Sequence, residues 1–502
     1  MPLNREINSS KNYTIWSGGF SGGLFNSIDG SLIPDNSLHD MSNLHIDHFG
    51  VLHTVTQPTE YAALYKNDGT GPIWGIMGSR GALWANRQGV LYKESATGTT
   101  YTVDFSLTQM ANSPALQKDC WVFDDNGLYV NGVNITAADQ DVCTGAPLST
   151  TIAEFEGRIW FNTSHGGTWE ANVLRGSDLT DPALEETWRG PVDPVDGTTM
   201  TLANALILVK FQQAIRYLLS MNGSLVIFCD DGIYTLNTFF DGTKRLVYSG
   251  EILPSWGTSP IIHIYTDGQM AYYVSTNKFY AFNGTPQCIS DRLSLPVAKC
   301  WWTGEYNGRL WFLVSEDTLP DGTSVNYLYS VDKTTGTWEK YDVQMTAKNG
   351  STYDTPTAIM GGEDKAFYSH GDRLYIGTSL GKVFYLSPTA TGTPLAWSFT
   401  TKTYTPSFDA YSRFVHFKIR YVGQASSSPV TIKQYVCRDG TPTLVQTNTS
   451  LDMAGSGFYQ KDVECYAQLG EGVYFVVSGT GTAEIADVGV EFTTKSVGDV
   501  NA

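Results

Sequence analysis

Half of the eight histidines lie in one short stretch of the sequence and could ligate a metal. They are His39, His45, His48 and His53, with Asp40 and Asp47 between them. Their offsets of 6, 3 and 5 residues fit neither a pair of helical ligands at i and i+4 nor a zinc-finger spacing. We therefore predict no metal site, and interpret the stretch as a solvated loop or a subunit-contact segment.

Two acidic turns, at residues 124–127 and 230–232, could be mistaken for calcium loops. A loop of the EF type needs alternating ligands and a Glu several residues later, and neither turn has them. Asp, Asn and Gly tolerate left-handed backbone conformations, so we predict that both turns close β-hairpins.

One segment partly matches the Asp-box pattern, S-x-D-x-G-x-T-W, of sialidases and other propeller glycosidases. Two extra residues separate its Asp from its Gly, and the match occurs once. A sialidase also needs three clustered arginines and a Tyr nucleophile, whereas Arg158, Arg309 and Arg373 fall in predicted hairpin turns. The matching residues are Ser330, Asp332, Gly336, Thr337 and Trp338.

The sequence contains no Walker loop and no G-x-G-x-x-G after a strand, and we predict no nucleophile elbow at residues 19–23 and 377–381, where the pattern G-x-S-x-G occurs. Carboxylate pairs for acid and base catalysis remain open, since 50 acidic residues in an all-β chain will include neighbours. The seven cysteines are scattered and never spaced as C-x-x-C, so we predict buried free thiols. We predict no catalytic residue, no cofactor and no metal.

The composition favours many short strands joined by tight turns. Aromatic residues make up 13%, Gly numbers 50 and charged residues are only 16%. Lys and Arg total 32 against 50 Asp and Glu, a net charge of -18, which disfavours sequence-specific binding of nucleic acid. No apolar run approaches the ~20 residues of a membrane span, and MPLNREINSS lacks an apolar signal core. We expect a protein made in the cytoplasm and not inserted in a membrane.

A hairpin pattern recurs through the first 390 residues, with a Gly turn, an aromatic-rich strand, a second turn and a strand carrying Tyr or Phe. Successive instances begin 38 to 66 residues apart, which is typical of four-stranded propeller blades with some insertions. Each hairpin can bury its second face only against a neighbour, so we predict a closed β-propeller of about seven blades. Trp84, Trp160 and Trp311 hold equivalent positions and should be buried. The instances start at Gly81, Asp119, Gly157, Gly223, Gly268, Gly308 and Gly371.

Two regions depart from this rhythm. Residues 177–211 are interpreted as a short helix or an extended insertion that contacts another subunit. From Phe408 onward the strands are longer and alternate, which predicts a β-sandwich of jelly-roll or immunoglobulin-like architecture.

The predicted organisation is all-β, with an N-terminal arm at residues 1–57, a β-propeller at 58–397 and a C-terminal β-sandwich at 398–502. A strand at residues 51–55 is expected to complete the last blade. The arm, about residues 15–47, is expected to make contacts outside the propeller.

Three passages resemble virion proteins of tailed phages. The passage GGFSGGLFNSIDGSLIPDNSLHDMSNLHIDHFGVLHTV resembles the opening of propeller-type tail proteins, SDLTDPALEETW resembles an element between their blades, and IADVGVEF resembles their closing strand. Thr54 and Val55 depart from the pattern, because the family tends to carry Arg there. The matching positions of the first passage are Gly22, Gly23, Leu24, Pro34, Asp35, Asn36, Asp40, Asn43, Asp47, Gly50, Val51 and Leu52.

The resemblance implies a podovirus-like tail hub or nozzle protein, similar to packaged-DNA-stabilising and tail tubular B proteins. Such proteins form a homo-hexameric ring below the portal and adaptor ring, contact tail fibre or tail-tip proteins, and retain packaged DNA. They conduct that DNA at ejection without binding it specifically. On this interpretation the chain is a structural protein of the virion tail.

Two other interpretations stay open. The chain could be a host-surface glycan-binding or glycan-cleaving virion protein, since Trp-rich propeller loops can stack on sugars. It could also be a bacterial surface or secreted carbohydrate-binding protein.

Overall fold

The computed structural model shows an all-β protein, which confirms the expected fold class. Strands account for every regular element in the part of the chain that the structure describes. No helix in that part is long and apolar enough to cross a membrane. The structure describes residues 12–61, 71–79, 82–87, 90–94, 101–106, 121–124, 127–130, 151–155, 158–162, 172–176, 208–230, 232–240, 245–254, 264–275, 278–295, 299–318, 324–343, 345–348, 352–361, 373–386, 392–406, 412–424, 429–466 and 468–494.

The N-terminal segment consists of short strands joined by tight turns. They are β1 (Tyr13–Trp16), β2 (Gly23–Leu24), β3 (Ser37–Ser42), β4 (Leu44–Ile46), β5 (Leu52–Thr54) and β6 (Thr59–Glu60).

The middle of the chain forms small antiparallel sheets in which consecutive strands pair, and we number these sheets units 1 to 7. Unit 1 contains β7 (Ile73–Ser79), β8 (Ala82–Arg87), β9 (Val90–Glu94) and β10 (Tyr101–Ser106); unit 2 contains β11 (Trp121–Asp124) and β12 (Gly127–Val130); unit 3 contains β13 (Ile152–Phe155), β14 (Arg158–Asn162), β15 (Val173–Gly176) and β16 (Leu208–Lys210). Unit 4 contains β17 (Ile215–Met221), β18 (Ser224–Cys229), β19 (Gly232–Phe240) and β20 (Arg245–Pro254); unit 5 contains β21 (Tyr265–Thr266), β22 (Ala271–Ser275), β23 (Lys278–Phe282) and β24 (Pro286–Cys288).

Units 6 and 7 follow, with a separate hairpin between them. Unit 6 contains β25 (Lys299–Tyr306), β26 (Arg309–Thr318), β27 (Ser324–Asp332) and β28 (Trp338–Tyr341), and the hairpin is formed by β29 (Met345–Lys348) and β30 (Thr352–Asp354). Unit 7 contains β31 (Pro356–Gly361), β32 (Leu374–Thr378) and β33 (Val383–Leu386), and its fourth strand is β6.

The remaining strands are longer and belong to two larger sheets. They are β34 (Trp397–Thr401), β35 (Ser412–Val422), β36 (Pro429–Arg438), β37 (Thr441–Asp452), β38 (Phe458–Glu464), β39 (Leu469–Gly470), β40 (Gly472–Gly479) and β41 (Glu484–Thr494).

The burial of individual strands reflects their packing. In β18 of unit 4 and β32 of unit 7, consecutive residues are buried on both faces of the sheet. In β36 burial alternates along the strand, as it does when one face packs on a core and the other meets solvent. Units 4 and 7 are therefore covered on both faces, whereas the sheet that contains β36 is covered on one.

Neighbouring units pack through aromatic and aliphatic side chains. The rings of Phe228 in unit 4 and Tyr273 in unit 5 lie 5.3 Å apart, and those of Phe279 in unit 5 and Phe312 in unit 6 lie 4.1 Å apart. Units 3 and 4 share another buried cluster. Strand β31 contacts both β25 of unit 6 and β7 of unit 1, so the last unit of the series packs against the first.

Two of the three tryptophans that were predicted to be buried are buried. Trp160 and Trp311 are 0% and 5% exposed. Each indole Nε1 donates a hydrogen bond of 3.1 Å to the carbonyl five residues earlier, at Phe155 and Tyr306 respectively. The side chain of Trp84 lies outside the described part of the structure.

The prediction for the strand that completes the last unit was wrong. Residues 51–55 contain β5, which pairs with β4 and β41 in the first of the larger sheets. Strand β6 takes the predicted place instead, pairing Glu60 with Phe384 and Thr59 with Tyr385. Both segments are extended, and the pairing of strands that are distant in sequence determines which of them completes unit 7.

The larger sheets form a sandwich that includes the N-terminal segment. The first sandwich sheet has the order β38-β35-β41-β5-β4, with β1 also paired to β41 and β39 to β35. The second sandwich sheet has the order β2-β3-β34-β40-β36-β37. The rings of Phe417 and Phe475 stack between the two sheets at 4.4 Å.

The predicted arm at residues 1–57 and the predicted sandwich at 398–502 therefore need correction. Residues 13–54 and 397–494 build the same two sandwich sheets, and the units lie between these segments in the sequence. Residues 15–47 pair with C-terminal strands of the same chain and also contact unit 6, and contacts of this segment with other subunits stay a prediction. In the predicted insertion at 177–211, residues 177–207 lie outside the described part of the structure, and β16 occupies 208–210.

Candidate functional site

Most of the histidine-rich stretch forms strands of the sandwich, where a solvated loop or a subunit-contact segment was predicted: His39, His45 and His53 lie in β3, β4 and β5, and His48 lies in the exposed turn before β5. His45 Nδ1 lies 3.2 Å from Glu339 Oε1, and His53 Nε2 lies 3.1 Å from Asp47 Oδ2. His45 and His53 thus have separate partners. Among the described residues, no group of three or more His, Cys, Asp or Glu side chains is placed to hold a metal ion.

The strands on either side of each acidic turn pair as a hairpin, as predicted, and residues 125, 126 and 231 of the turns lie outside the described part of the structure. Asp124 and Gly127 face each other at the ends of β11 and β12. Asp230 lies between β18 and β19, and each of its carboxylate oxygens accepts a 2.7 Å hydrogen bond from the Arg216 guanidinium. The Asp230 carboxylate is therefore used in a structural ion pair.

The partial Asp-box match forms the turn between β27 and β28 of unit 6. Asp332 Oδ1 accepts hydrogen bonds of 2.8 Å from the backbone N–H groups of Thr334 and Thr335. Burial opposes ionisation, but these N–H groups and the Arg309 guanidinium keep the pKa of Asp332 below its ordinary value. Asp332 therefore stabilises the turn as a carboxylate.

The same turn attaches unit 6 to its neighbours. Thr337 Oγ1 donates to the Ser21 carbonyl at 2.9 Å, and Trp338 Nε1 donates to the Ile289 carbonyl at 3.0 Å. Gly23 has φ of 67°, and a Cβ there would lie 2.7 Å from Thr337 Cγ2 and 2.8 Å from the Trp338 carbonyl. Only glycine allows the N-terminal segment to approach unit 6 so closely.

A buried ion pair lies next to this turn. Glu339 is fully buried, and its Oε2 lies 3.0 Å from a terminal nitrogen of Arg309, whose side chain is 5% exposed. Oε1 accepts a 2.8 Å hydrogen bond from the backbone N–H of Ile46 and lies 3.2 Å from His45. Burial alone would raise the pKa of Glu339, but Arg309 and His45 outweigh it and lower the pKa.

Neutral groups complete the surroundings of the ion pair. Ser330 Oγ donates to Glu339 Oε2 at 3.2 Å, and the Tyr341 hydroxyl also donates to this oxygen. Burial, and then the nearby Glu339 carboxylate, raise the pKa of Tyr341 well above its ordinary value. Arg309 Nε donates to Ser330 Oγ at 3.0 Å. A buried ion pair with this many hydrogen bonds holds two elements in one relative position.

Asn43 forms a second contact between unit 6 and the sandwich. Its backbone N–H donates to the Lys340 carbonyl at 3.0 Å, and its Oδ1 accepts from the Asp342 N–H at 2.7 Å. Its Nδ2 donates to the Ala396 carbonyl at 2.7 Å. Asn43, at the corner between β3 and β4, thus connects β28 with the residue that precedes β34.

Polar side chains also join units at their turns. Lys333 Nζ lies 3.2 Å from Asp267 Oδ2 in unit 5 and 2.9 Å from Glu305 Oε2 in its own unit 6. Asn222 in the first turn of unit 4 donates to Asn283 Oδ1 of unit 5 at 3.0 Å. These contacts resist sliding of one unit past the next.

Asp487 anchors the N-terminal segment to β41. Its Oδ1 accepts hydrogen bonds from the Ser17 hydroxyl, from the N–H of Gly18 at 3.1 Å and from the N–H of Gly19 at 3.3 Å. The N–H of Val488 donates to the same oxygen at 2.9 Å. Successive backbone N–H groups around one oxygen are a usual way to bind an anion, and here the anion is part of the chain.

Two of the four described cysteines match the prediction of buried free thiols. Cys229 and Cys465 are buried, and Cys288 and Cys437 are half-buried. Burial raises the pKa of Cys465 to about 12, so its thiol stays protonated at neutral pH.

No family model matches the chain, and no curated protein sequence matches it. Among solved structures, the extracellular domain of a putative one-component system from B. thetaiotaomicron is 12% identical over 88% of this chain and 63% of its own, with a TM-score of 0.40. PorZ, a bacterial surface component of the type-IX secretion system of Porphyromonas gingivalis, is 9% identical over 66% of this chain and 42% of its own, with a TM-score of 0.35. An exo-β-1,3-galactanase from Phanerochaete chrysosporium is 10% identical over 86% of this chain and all of its own, with a TM-score of 0.22. The chain spans less than two thirds of the first two, and none of these likenesses assigns it a function.

The candidate site is therefore a joint between unit 6 and the sandwich, which we call the junction; it is centred on Gly23, Asn43, Arg309 and Glu339. From the sequence, Arg309 is predicted to lie in a hairpin turn and Asn43 is among the resembling positions. No feature of the sequence singles out Glu339. The sequence shows only an acidic residue between Trp338 and Tyr341 in a short strand. From the sequence alone, a buried acidic residue at such a position cannot be distinguished from one that faces solvent.

Proposed function

We propose that units 1 to 7 close into a β-propeller. Support comes from β31, which contacts both β25 of unit 6 and β7 of unit 1. Thr357 Oγ1 of β31 donates to the Ile73 carbonyl of β7 at 2.6 Å. Strand β6 then completes unit 7 with a segment from the other end of the series, which is how closed β architectures avoid a free edge.

The propeller and sandwich together are a structural protein of a tailed-phage virion, forming the tail hub or nozzle ring below the portal and adaptor. The observation that carries this proposal is the place of the resembling passages. Gly23 and Asn43 from the first passage form the junction, and IADVGVEF lies in β41, to which Asp487 ties residues 17–19. Residues of the resembling passages thus connect the units with the sandwich and the N-terminal segment with β41. The wall of a rigid ring requires such connections.

The ring is tested by native mass spectrometry and negative-stain imaging of the purified protein. We expect a closed assembly of about six chains, or a stable complex with an adaptor ring. A trimer with no ring would favour the receptor-binding alternative, and a protein that stays monomeric at all concentrations and with the adaptor would contradict the proposal.

The absence of covalent chemistry is part of this proposal. Two of the carboxylates singled out in the sequence have structural partners: Asp230 pairs with Arg216, and Asp332 accepts hydrogen bonds within its turn. Purified protein screened against polysaccharides and sialosides should give no turnover. Turnover that a single carboxylate substitution abolishes would show that the chain is an enzyme.

A further inference from the structure

Strand β1 lies on an edge of the first sandwich sheet. It pairs with β41 from Tyr13 opposite Phe492 to Trp16 opposite Gly489. Strand β5 covers another part of β41, opposite Glu484 and Ile485. The segment of β41 at residues 489–492 would therefore present an unpaired edge in the described structure if β1 left, and such an edge recruits another strand.

The side chains of β1 are recognised by β35 and β41. The rings of Tyr13 and Phe492 stack at 5.9 Å, and the Arg420 guanidinium lies 3.8 Å from the centre of the Trp16 ring. Gly489 leaves room for the same indole, since a Cβ there would lie 2.8 Å from Trp16 Cε3. The docking position is thus specific for this sequence, although β1 itself is only partly buried.

Two glycines connect β1 to the rest of the chain. Gly18 and Gly19 have φ of 73° and 85°, in the left-handed region that glycine adopts readily, and a Cβ on Gly18 would meet nothing within 4 Å. Phe20, which follows, is completely buried and fixes what comes after. Residues 12–18 can therefore move about Gly19 once Ser17 leaves its contacts with Asp487 and Val488, while Phe20 stays in the core.

We propose that β1 is exchanged between copies, docking on β41 of a second copy of this chain. The contacts would be the same as those within one chain, so exchange of an identical element between protomers costs little. In the exchanged arrangement, the Asp487 carboxylate of the second copy would accept the hydrogen bonds of Ser17 and Gly18 that Asp487 of the same chain accepts here. Main-chain pairing supplies affinity and the Trp16 position supplies specificity. The inference requires only a second copy, and so it is independent of the virion role.

Thr14 and Glu491 face each other across the β1–β41 pair, outside the hydrophobic core, and are suited to a disulfide test. The double variant Thr14→Cys, Glu491→Cys is oxidised at its assembly concentration and analysed by non-reducing electrophoresis and peptide mass. We expect covalent dimers and larger species that contain the 14–491 disulfide. Monomers with an internal 14–491 disulfide and no covalent oligomers would overturn the proposal.

Co-expression of the two single variants gives an independent test. Strand exchange places position 14 of one chain beside position 491 of another. The yield of covalent dimers should therefore be several-fold higher than in a control mixture of Thr14→Cys with Ser478→Cys. Ser478 lies on β40 of the second sandwich sheet, away from β1. Equal dimer yields in the two mixtures would overturn strand exchange. The proposed ring is tested separately, by native mass spectrometry.

Discussion

At the scale of residues, the junction depends on buried charges that are fully paired. Glu339 receives hydrogen bonds from a backbone N–H, a serine and a tyrosine in addition to the Arg309 ion pair. A buried ion pair contributes little net stability compared with well-packed apolar residues, but the loss of one partner leaves the other charged and unpaired. The junction is therefore sensitive to single substitutions.

Glu339→Gln should destabilise the protein by about 3–5 kcal/mol, because it leaves the buried Arg309 guanidinium with only the more distant Asp332 carboxylate, at 3.7 Å, as a counter-charge. Urea unfolding followed by tryptophan fluorescence measures the change. The matched control is Asp462→Asn, which removes the 2.8 Å pair between Lys418 and a carboxylate that is 41% exposed. That change should cost less than about 1 kcal/mol. Equal effects of the two variants would show that the junction is not a special point of stability.

At acid pH, the difference in stability between the native protein and Glu339→Gln should decrease. The pKa of Glu339 is lowered from an ordinary value of 4.5, so its ionised form contributes stability that is fully present above 4.5 and is lost as pH falls through the lower folded value. The difference in urea midpoint between the native protein and Glu339→Gln should therefore shrink from pH 7 to pH 3. A difference that stays constant over this range would contradict the assignment of an ionised Glu339.

Trp311→Ala should cost roughly 3–5 kcal/mol or prevent folding, since it empties a core position of unit 6. Trp311→Phe is the matched variant, because it keeps an aromatic ring and loses the bond to the Tyr306 carbonyl. It should melt between the native protein and Trp311→Ala in calorimetry. Normal melting of the alanine variant would mean that this position is not structural.

At the scale of elements, the two residues of β6 decide whether unit 7 has a fourth strand. The N–H groups of successive strand residues point to opposite sides, so one of Thr59 and Glu60 directs its N–H toward β33. Lys382 Nζ of the neighbouring turn lies 3.0 Å from Glu60 Oε2. The strand is short, and its pairing is long-range in sequence.

Replacing Thr59 and Glu60 together by Pro should free β33, because Pro cannot donate to the ladder. We expect faster hydrogen exchange at Val383–Leu386, measured by mass spectrometry, with unchanged exchange in β36. Thr59→Ala with Glu60→Ala keeps the N–H groups and should exchange nearly as the native protein does. If the proline variant also matched the native protein, β6 would have no part in holding unit 7.

At the scale of the whole molecule, the net charge of -18 bears on the proposed DNA channel. A tube that releases DNA quickly should not bind phosphate, because each cationic contact adds a salt-dependent attraction. We therefore expect lumen-facing loops to be acidic or polar, with Lys and Arg used in contacts between subunits and with the adaptor. Acidity that serves only solubility would give the same net charge.

Binding of duplex DNA by the assembled protein at about 50 mM salt separates these cases, since electrostatic affinity is strongest at low salt. We expect no binding by fluorescence anisotropy. A basic DNA-binding protein measured in parallel shows that the assay detects such contacts. Tight binding that weakens steeply as salt rises would indicate a cationic lumen and exclude the low-adhesion channel.

The sequence by itself determined the all-β class, the hairpin repeats and the buried positions of Trp160 and Trp311, because these follow from local patterns of turns and alternating side chains. It also placed the longer strands after residue 408. Tertiary structure alone decided that residues 13–54 join the C-terminal strands, that β6 and not residues 51–55 completes unit 7, and that Glu339 is buried. Each of these is a pairing between segments hundreds of residues apart. An extended segment carries the same local pattern whichever edge it joins, so only the packing of the whole chain selects its partner.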